Sequence, residues 1–273
     1  MGTLLGALVT RGLTPDALDR WGWRIPFLFG LIIGPIGLYI RRYLDETPDF
    51  VAARGAATEE HAFGTTLAAH IKQMAVCLIL SGGASIQFYV LLVYMPTFAS
   101  TQLHLPLGTA LVAQSVGLLF LVVLVPLFGV LADHIGRKPI MMSAFALYLA
   151  LAYPLFSWVH DSPSFARLMI MQMALCSLLG AFYGPNATVL VEQFPTRIRS
   201  TGLAIPYNLG VMIFGGFAQF FVTWLIHATG SPIAPVYYMM FGAAITLVSL
   251  LFITDPAREP RGQLAVSIPA PVV

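Results

Sequence analysis

The chain has 273 residues, of which 58% are hydrophobic and 10% charged, with a mean hydropathy of +0.83. Soluble domains carry about 25% charged residues, so this chain lacks the ions to cover a water-facing surface, and most of that surface must face lipid. A net charge of +2 with dispersed basic residues argues against nucleic-acid binding.

Residues 1–10 are apolar but too short to cross a bilayer, which takes about 20 residues. They lack a basic leader and a cleavage site, and read as the end of a spanning helix rather than a signal peptide. Seven longer apolar runs follow, at residues 25–40, 74–99, 108–131, 140–158, 168–191, 203–226 and 233–253. Trp21 and Trp23 extend the first, short run into the membrane interface. Inside hydrocarbon the backbone must bond to itself, so each run is expected to be a helix. The runs are apolar on all sides, unlike the alternating strands of a membrane barrel. Cys77 and Cys176 lie within them and read as buried thiols, not as a disulfide or metal ligands.

Lysine and arginine set the orientation. Arg41, Arg42, Arg54, Lys72, Arg137, Lys138, Arg197, Arg199, Arg258 and Arg261 fall on one side, and Arg11, Arg20, Arg24 and Arg167 on the other. Ten against four places the first group, and the C-terminus, in the cytoplasm. The break at 41–72 holds Asp45, Glu46, Pro48, Asp49, Glu59 and Glu60 and reads as a cytoplasmic loop. The Pro-rich polar stretch 255–273 reads as a disordered cytoplasmic tail.

The break at 129–139 reads Gly-Val-Leu-Ala-Asp-His-Ile-Gly-Arg-Lys-Pro. A positive-inside anchor needs only Arg137 and Lys138, which leaves Gly129, Asp133 and Gly136 to explain. Gly136 permits a tight bend, and Asp133 can cap a helix N-terminus or pair with an arginine. This segment resembles the cytoplasmic loop signature G-x-L-A-D-x-x-G-R-[KR]-P of the major facilitator superfamily. Two runs later, Glu192-Gln193-Phe194-Pro195, with Arg199 beyond, resembles the E-x-F-P-x-x-x-R signature that follows helix ten in many members. Residues 21–27 (Trp-Gly-Trp-Arg-Ile-Pro-Phe), Arg41-Arg42 and Asp45-Glu46-Thr47-Pro48 resemble the sixth helix and following loop of its metabolite:proton symporters. Those include citrate, α-ketoglutarate, shikimate and proline/betaine permeases. Tyr207-Asn208 and Phe214-Gly215-Gly216 resemble the same subfamily.

The resemblance implies an all-α membrane protein of the major facilitator fold, with the C-terminal six-helix half, helix six and the end of helix five. Residues 1–40 would hold the end of helix five and helix six, 41–72 the central loop, 73–254 the six-helix bundle and 255–273 the tail. The chain then reads as truncated at its N-terminus, because the family holds its solute between two six-helix halves. The implied activity is proton-coupled symport of a small organic acid such as citrate across a bacterial-type inner membrane. The alternative is symport of a proline- or betaine-type osmolyte. The implied coupling ion is H+, with no cofactor, no metal and no nucleic-acid partner, and the full-length protein is expected to be monomeric.

The family's cytoplasmic contacts hold helices together in the outward-open state. The expected lock residues are Gly129, Asp133, Gly136, Arg137, Lys138, Glu192 and Arg199, with Arg137 pairing Glu192 and Asp133 either pairing Arg199 or capping the 203–226 helix. Helix breakers at Gly82-Gly83, Gly184-Pro185 and Pro206 read either as gating hinges or as points of close packing. Polar side chains inside the runs include Gln87, Tyr89, Tyr94, Gln114, Tyr183, Asn186, Tyr207, Asn208 and Gln219. Of these, Gln87, Tyr89, Asn186 and Asn208 are the expected cavity residues, because their runs correspond to helices seven, ten and eleven. From Met74 onward no charge lies near the middle of a run, so the proton carrier and any cationic solute clamp are expected outside this part of the family fold. His104, His160 and His227 fall near run ends and read as interfacial. A membrane enzyme would gather acids, His or Ser at one depth, and none gather. An ATP-driven permease subunit would need a coupling helix, and the 129–139 loop is foreign to that class. A non-transporting sensor derived from a carrier is the remaining alternative.

Overall fold

A computed structural model describes residues 12–31, 33–43, 70–195 and 198–253. The expected end of helix five, most of the central loop, Arg197 and the tail lie outside the described residues. The chain forms two compact units, Met1–Glu59 and Glu60–Val273.

In the first unit the described elements are α1 (Pro15–Arg20), a single 3-10 turn (Gly22–Arg24), α2 (Ile25–Gly30) and α3 (Ile33–Tyr43). Pro15 opens α1, where its missing N–H costs nothing. Arg24 donates to the Arg20 carbonyl at 2.6 Å and lies 4.3 Å from the Trp23 ring centre, a cation–π contact at the start of the apolar run. Residues 25–40, expected as one helix, form two. Pro35 has no N–H for the Leu31 carbonyl, and the Gly34 amide takes that acceptor at 3.2 Å in a tighter turn.

The second unit is a bundle of α4 (Ile71–Thr101), α5 (Leu107–Ile135), α6 (Arg137–Asp161), α7 (Phe165–Glu192), α8 (Arg199–Thr229) and α9 (Pro235–Leu251). The first five are long and apolar enough to cross a membrane, and α9 is a shorter apolar helix. The runs predict these six helices to within a few residues of their ends. They do not predict the interior of two of them. In α4 the regular helix Ile71–Tyr89 passes into a π-helical segment, Val90–Tyr94, and resumes at Met95–Thr101. In α8 a π-helical segment, Val211–Gly216, separates Arg199–Gly210 from Ala218–Thr229. At Gly82-Gly83, Gly184-Pro185 and Pro206 the helices continue through.

The bundle is apolar inside and out. Phe145, Tyr148, Phe156 and Phe182 are buried, with Phe145 and Phe182 ring centres 4.5 Å apart. Leu119, Val122 and Phe220 are each more than 60% exposed. Only lipid makes such a surface stable, so the second unit is a multi-pass membrane bundle.

Lipid gives apolar helices no reason to associate, so they hold together by close contact. One such close pairing joins α5 to α7. A Cβ on Gly184 would stand 2.7 Å from the Gly129 nitrogen and 2.8 Å from the Val125 carbonyl. The backbones meet there with no room for a side chain, which decides the Gly184 position in favour of packing. Gly83 on α4 meets α9 the same way, its Cβ position 2.7 Å from the Gly242 carbonyl.

Gly184→Val is expected to force α5 and α7 apart and to destabilise the bundle by about 1–3 kcal/mol, the usual range for overpacking. Gly216→Ala, where the nearest atom to the new Cβ is 3.9 Å away, is the control and should be close to neutral. Thermal unfolding in detergent distinguishes the two variants.

Candidate functional site

Three of the charged residues described in the second unit, Asp133, Arg137 and Lys138, stand where α5 turns into α6. That turn is one residue long. Gly136 has φ +107°, a region that side chains avoid, and its amide bonds the Ala132 carbonyl at 2.9 Å. The turn sets Asp133 on the last turn of α5 and Arg137 at the first residue of α6.

Arg137 reaches Glu192, the last residue of α7, with Nη1 2.6 Å from both Oε1 and Oε2. Its Nη2 stands 3.4 Å from Asp133 Oδ1. The Arg137 and Glu192 side chains are 18% and 31% exposed, so the pair is half-sheltered rather than free in solvent. Lys138 donates from Nζ to the carbonyls of Leu251 and Ile253 at 3.0 Å, at the end of α9.

Helix dipoles explain why these signs stand at these places. An arginine at the N-terminus of α6 and a glutamate at the C-terminus of α7 each oppose their own helix. Each suits the other's helix, because a cation belongs at a C-terminus and an anion at an N-terminus. Lys138 does the same for α9. The cluster therefore ties α5, α6, α7 and α9 at one end of the bundle, by charges that favour the neighbour over the helix that carries them.

Two expected positions differ. Asp133 was expected to pair with Arg199 or to cap α8. Among the described residues its ion pair is with Arg137, and its side chain is 65% exposed. Arg199, at the start of α8, turns back to donate from Nε to the Phe194 carbonyl at 3.3 Å. Ile198, at the N-cap of α8, receives no side-chain cap. Asp133 is four residues from Arg137 across the Gly136 turn and is held beside it by that proximity. Gly129 lies at the α5–α7 crossing opposite Gly184, one turn short of the ion pair.

The four expected cavity residues fall in different settings. Gln87 is fully buried and donates from Nε2 to the Met239 carbonyl at 2.7 Å, which ties α4 to α9. A buried amide in lipid is held by the nearest carbonyl, and here α9 supplies one. Asn186 is also buried, and its Oδ1 has no partner among the described residues. Tyr89 is half-buried, and its ring fills the space where a Cβ on Gly215 would stand. Asn208 is exposed and donates to the Ala204 carbonyl of its own helix at 2.7 Å.

One shallow apolar hollow, open to the outside of the bundle, lies between α4, α5 and α7. A cavity of about 340 Å³ is lined by Phe88, Leu121, Val122, Val125 and Tyr183. Phe88 and Tyr183 meet edge to face, with ring centres 6.2 Å apart. Phe88 carries no polar atom, and a search for polar residues inside apolar runs passes over it.

A family model described as the Major Facilitator Superfamily matches residues 78–272. The chain belongs to the Major Facilitator Superfamily. Its similarity to a citrate-proton symporter of Klebsiella pneumoniae is 32% identity over 253 residues, covering 93% of this chain and 56% of the relative. A glycine betaine/proline/ectoine/pipecolic acid transporter of Dickeya dadantii is 32% identical over 281 residues, covering 95% and 54%. A citrate-proton symporter of Salmonella typhi is 28% identical over 267 residues, covering 97% and 60%. The chain thus spans a little over half the length of these curated relatives. No solved structure gives a significant match. As a facilitator-superfamily chain whose named relatives are transporters, it is placed outside the enzymes at the family level.

Arg137→Gln is expected to lower bundle stability by about 1–2 kcal/mol, between the values for exposed and buried pairs. Arg137→Glu and Glu192→Arg should each cost more. Together they should recover most of the loss, because the exchanged charges suit both each other and their own helices. Unfolding midpoints of the four proteins in detergent provide the check.

Proposed function

We propose that this chain forms the C-terminal bundle and part of the N-terminal half of a proton-coupled symporter for a small organic acid, a di- or tricarboxylate such as citrate. The observation that carries the reading is the Arg137–Glu192 pair, which joins α6 to α7 at one end of the bundle only. At the opposite end, among the described residues, α6 and α7 are joined by a single cation, Arg167, which donates from Nη1 to the Trp158 carbonyl at 2.9 Å and lies over the Trp158 ring, so the ion pair biases the bundle toward the conformation closed at the Arg137 end. A transporter that alternates between two openings needs such a bias, and a few kcal/mol suffices. The resemblance to citrate-proton symporters supports carboxylate as the cargo and a proton as the coupling ion.

A second cargo is favoured by a specific observation. The concave face between α4, α5 and α7 offers the rings of Phe88 and Tyr183, and among the described residues the middles of α4–α9 hold no Lys or Arg. Aromatic faces attract quaternary ammonium by about 0.5–2 kcal/mol per ring, depending on desolvation. A betaine-type solute fits that surface better than a carboxylate alone, in line with the name of the Dickeya dadantii relative.

Uptake of labelled citrate and labelled glycine betaine, driven by an imposed proton gradient into vesicles that hold this chain within a full-length, two-half transporter, decides between them. The expected result is gradient-dependent citrate uptake, abolished by a protonophore. Betaine uptake with no citrate uptake selects the second cargo, and Phe88→Ala should then raise the KM for betaine about tenfold. Uptake of neither solute under any proton gradient overturns the symport reading.

In this reading the Arg137 end and the C-terminus face the cytoplasm of a cell whose inner membrane holds the protein. His134→Cys and Ser200→Cys should react with a membrane-impermeant thiol reagent from the cytoplasmic side alone. His104→Cys and Ser162→Cys should react from the opposite side alone. Labelling of both pairs from one side overturns the orientation.

A further inference from the structure

The π-helical segment Val90–Tyr94 divides α4 into two parts with different neighbours. Ile71–Tyr89 packs against α8 and α9, with Gly82 against the Phe214 ring and Gln87 bonded to the Met239 carbonyl. Met95–Thr101 packs against α5, and Phe98 meets Phe156 of α6 with ring centres 5.5 Å apart. One helix therefore has its two ends fastened to different partners, with an irregular turn between them.

Pro96 accounts for the irregular turn. It has no N–H, so it can serve neither the carbonyl four residues earlier, on Leu92, nor the one five residues earlier, on Leu91. Those are the two carbonyls that receive side-chain amides from other helices. Gln114 of α5 donates from Nε2 to the Leu92 oxygen, and Gln172 of α7 donates from Nε2 to the Leu91 oxygen at 3.4 Å. Both glutamines are at least nine-tenths buried, and their Oε1 atoms have no partner among the described residues. Each amide thus engages through its donor alone. A buried glutamine in lipid is costly unless its bond matters, and two of them converge on adjacent carbonyls beside one proline.

We propose that Val90–Tyr94 is a hinge in α4, that Pro96 creates it, and that the Gln114 and Gln172 amides are the latch that holds it in the conformation seen here. Release of the two amides frees Met95–Thr101 to tilt against Ile71–Tyr89. That motion opens or closes the end of the bundle opposite Arg137, which the ion pairs leave untied. The gating use of the hinge rests on the transport reading above, and the hinge itself does not.

The test is amide hydrogen exchange across residues 90–101 of the chain in detergent, with uptake measured in parallel. Gln114→Leu/Gln172→Leu should speed exchange in this segment at least about tenfold, because the carbonyls lose their donors and the turn opens more often. Pro96→Ala restores a backbone N–H and should slow exchange at least about tenfold below the unaltered protein. Adding P96A to the double glutamine variant should bring exchange back to the P96A level. Uptake should fall in P96A although the protein is folded, because the hinge is stiffened. Unchanged exchange in the glutamine variant overturns the latch, and P96A exchange equal to that of the unaltered protein overturns the hinge. If the glutamine variant does not fold, P96A alone and the triple variant still decide. Exchange that responds as stated, in a chain that moves no solute even within a full-length, two-half transporter, keeps the hinge and sinks the transport reading instead.

Discussion

Everything in the bundle follows from the absence of water in hydrocarbon. A backbone carbonyl or amide left without a partner there costs several kcal/mol. Helix is the local answer, and the six helices from Ile71 to Leu251 satisfy most of their groups internally. The informative places are those where helix alone does not suffice. At Pro35 a neighbouring amide steps in. Beside Pro96 two glutamines from other helices do so. In the second π-helical segment the Phe214 carbonyl takes the Tyr238 hydroxyl of α9 at 2.7 Å. At the end of α9 the Lys138 ammonium meets two carbonyls. Beside Pro96, at Phe214 and at the end of α9 the donor is a side chain of another helix, so these side chains are part of the secondary structure of a helix other than their own.

The second consequence concerns how helices adhere. Leucine gains nothing by leaving lipid for another leucine, so association relies on close backbone contact and on polar bonds. The bundle divides these between its middle and its end. Gly184 and Gly83 bring backbones together along the length of α5–α7 and α4–α9. The Arg137–Glu192 pair and Lys138 act at one end, where charge can reach water. The glycines hold the backbones in close contact, and the charges add polar bonds at the end where water can reach.

The helices were legible in the sequence because apolar length is a strong and local signal. The Arg137–Glu192 contact was legible too, because two short polar segments separated by two spans must return to the same side of the membrane. Gln87 was not, since a glutamine in an apolar run looks the same whether it faces a solute or a neighbouring carbonyl. Only the position of Met239 on α9 separates the two. The π-helical segments were missed for a different reason. Glycine pairs such as Gly82-Gly83 mark close packing, whereas the irregular turn in α4 comes just before Pro96. The sequence signal for it is a proline near the end of a run, with glutamines in two later runs placed to serve the carbonyls it abandons. The aromatic cavity around Phe88 and Tyr183 depends on three helices meeting, and no single segment announces it.

The one-residue connection at Gly136 sets a mechanical limit on the bundle. A single residue spans at most about 3.5 Å, and its unusual dihedral angles leave little slack to take up. Sliding of α5 along its axis must reappear in α6 almost undiminished, and through Lys138 in the final turn of α9. The junction acts as a short tether: the facing ends of α5 and α6 stay within one residue's reach, so an axial shift of one end must carry the other with it.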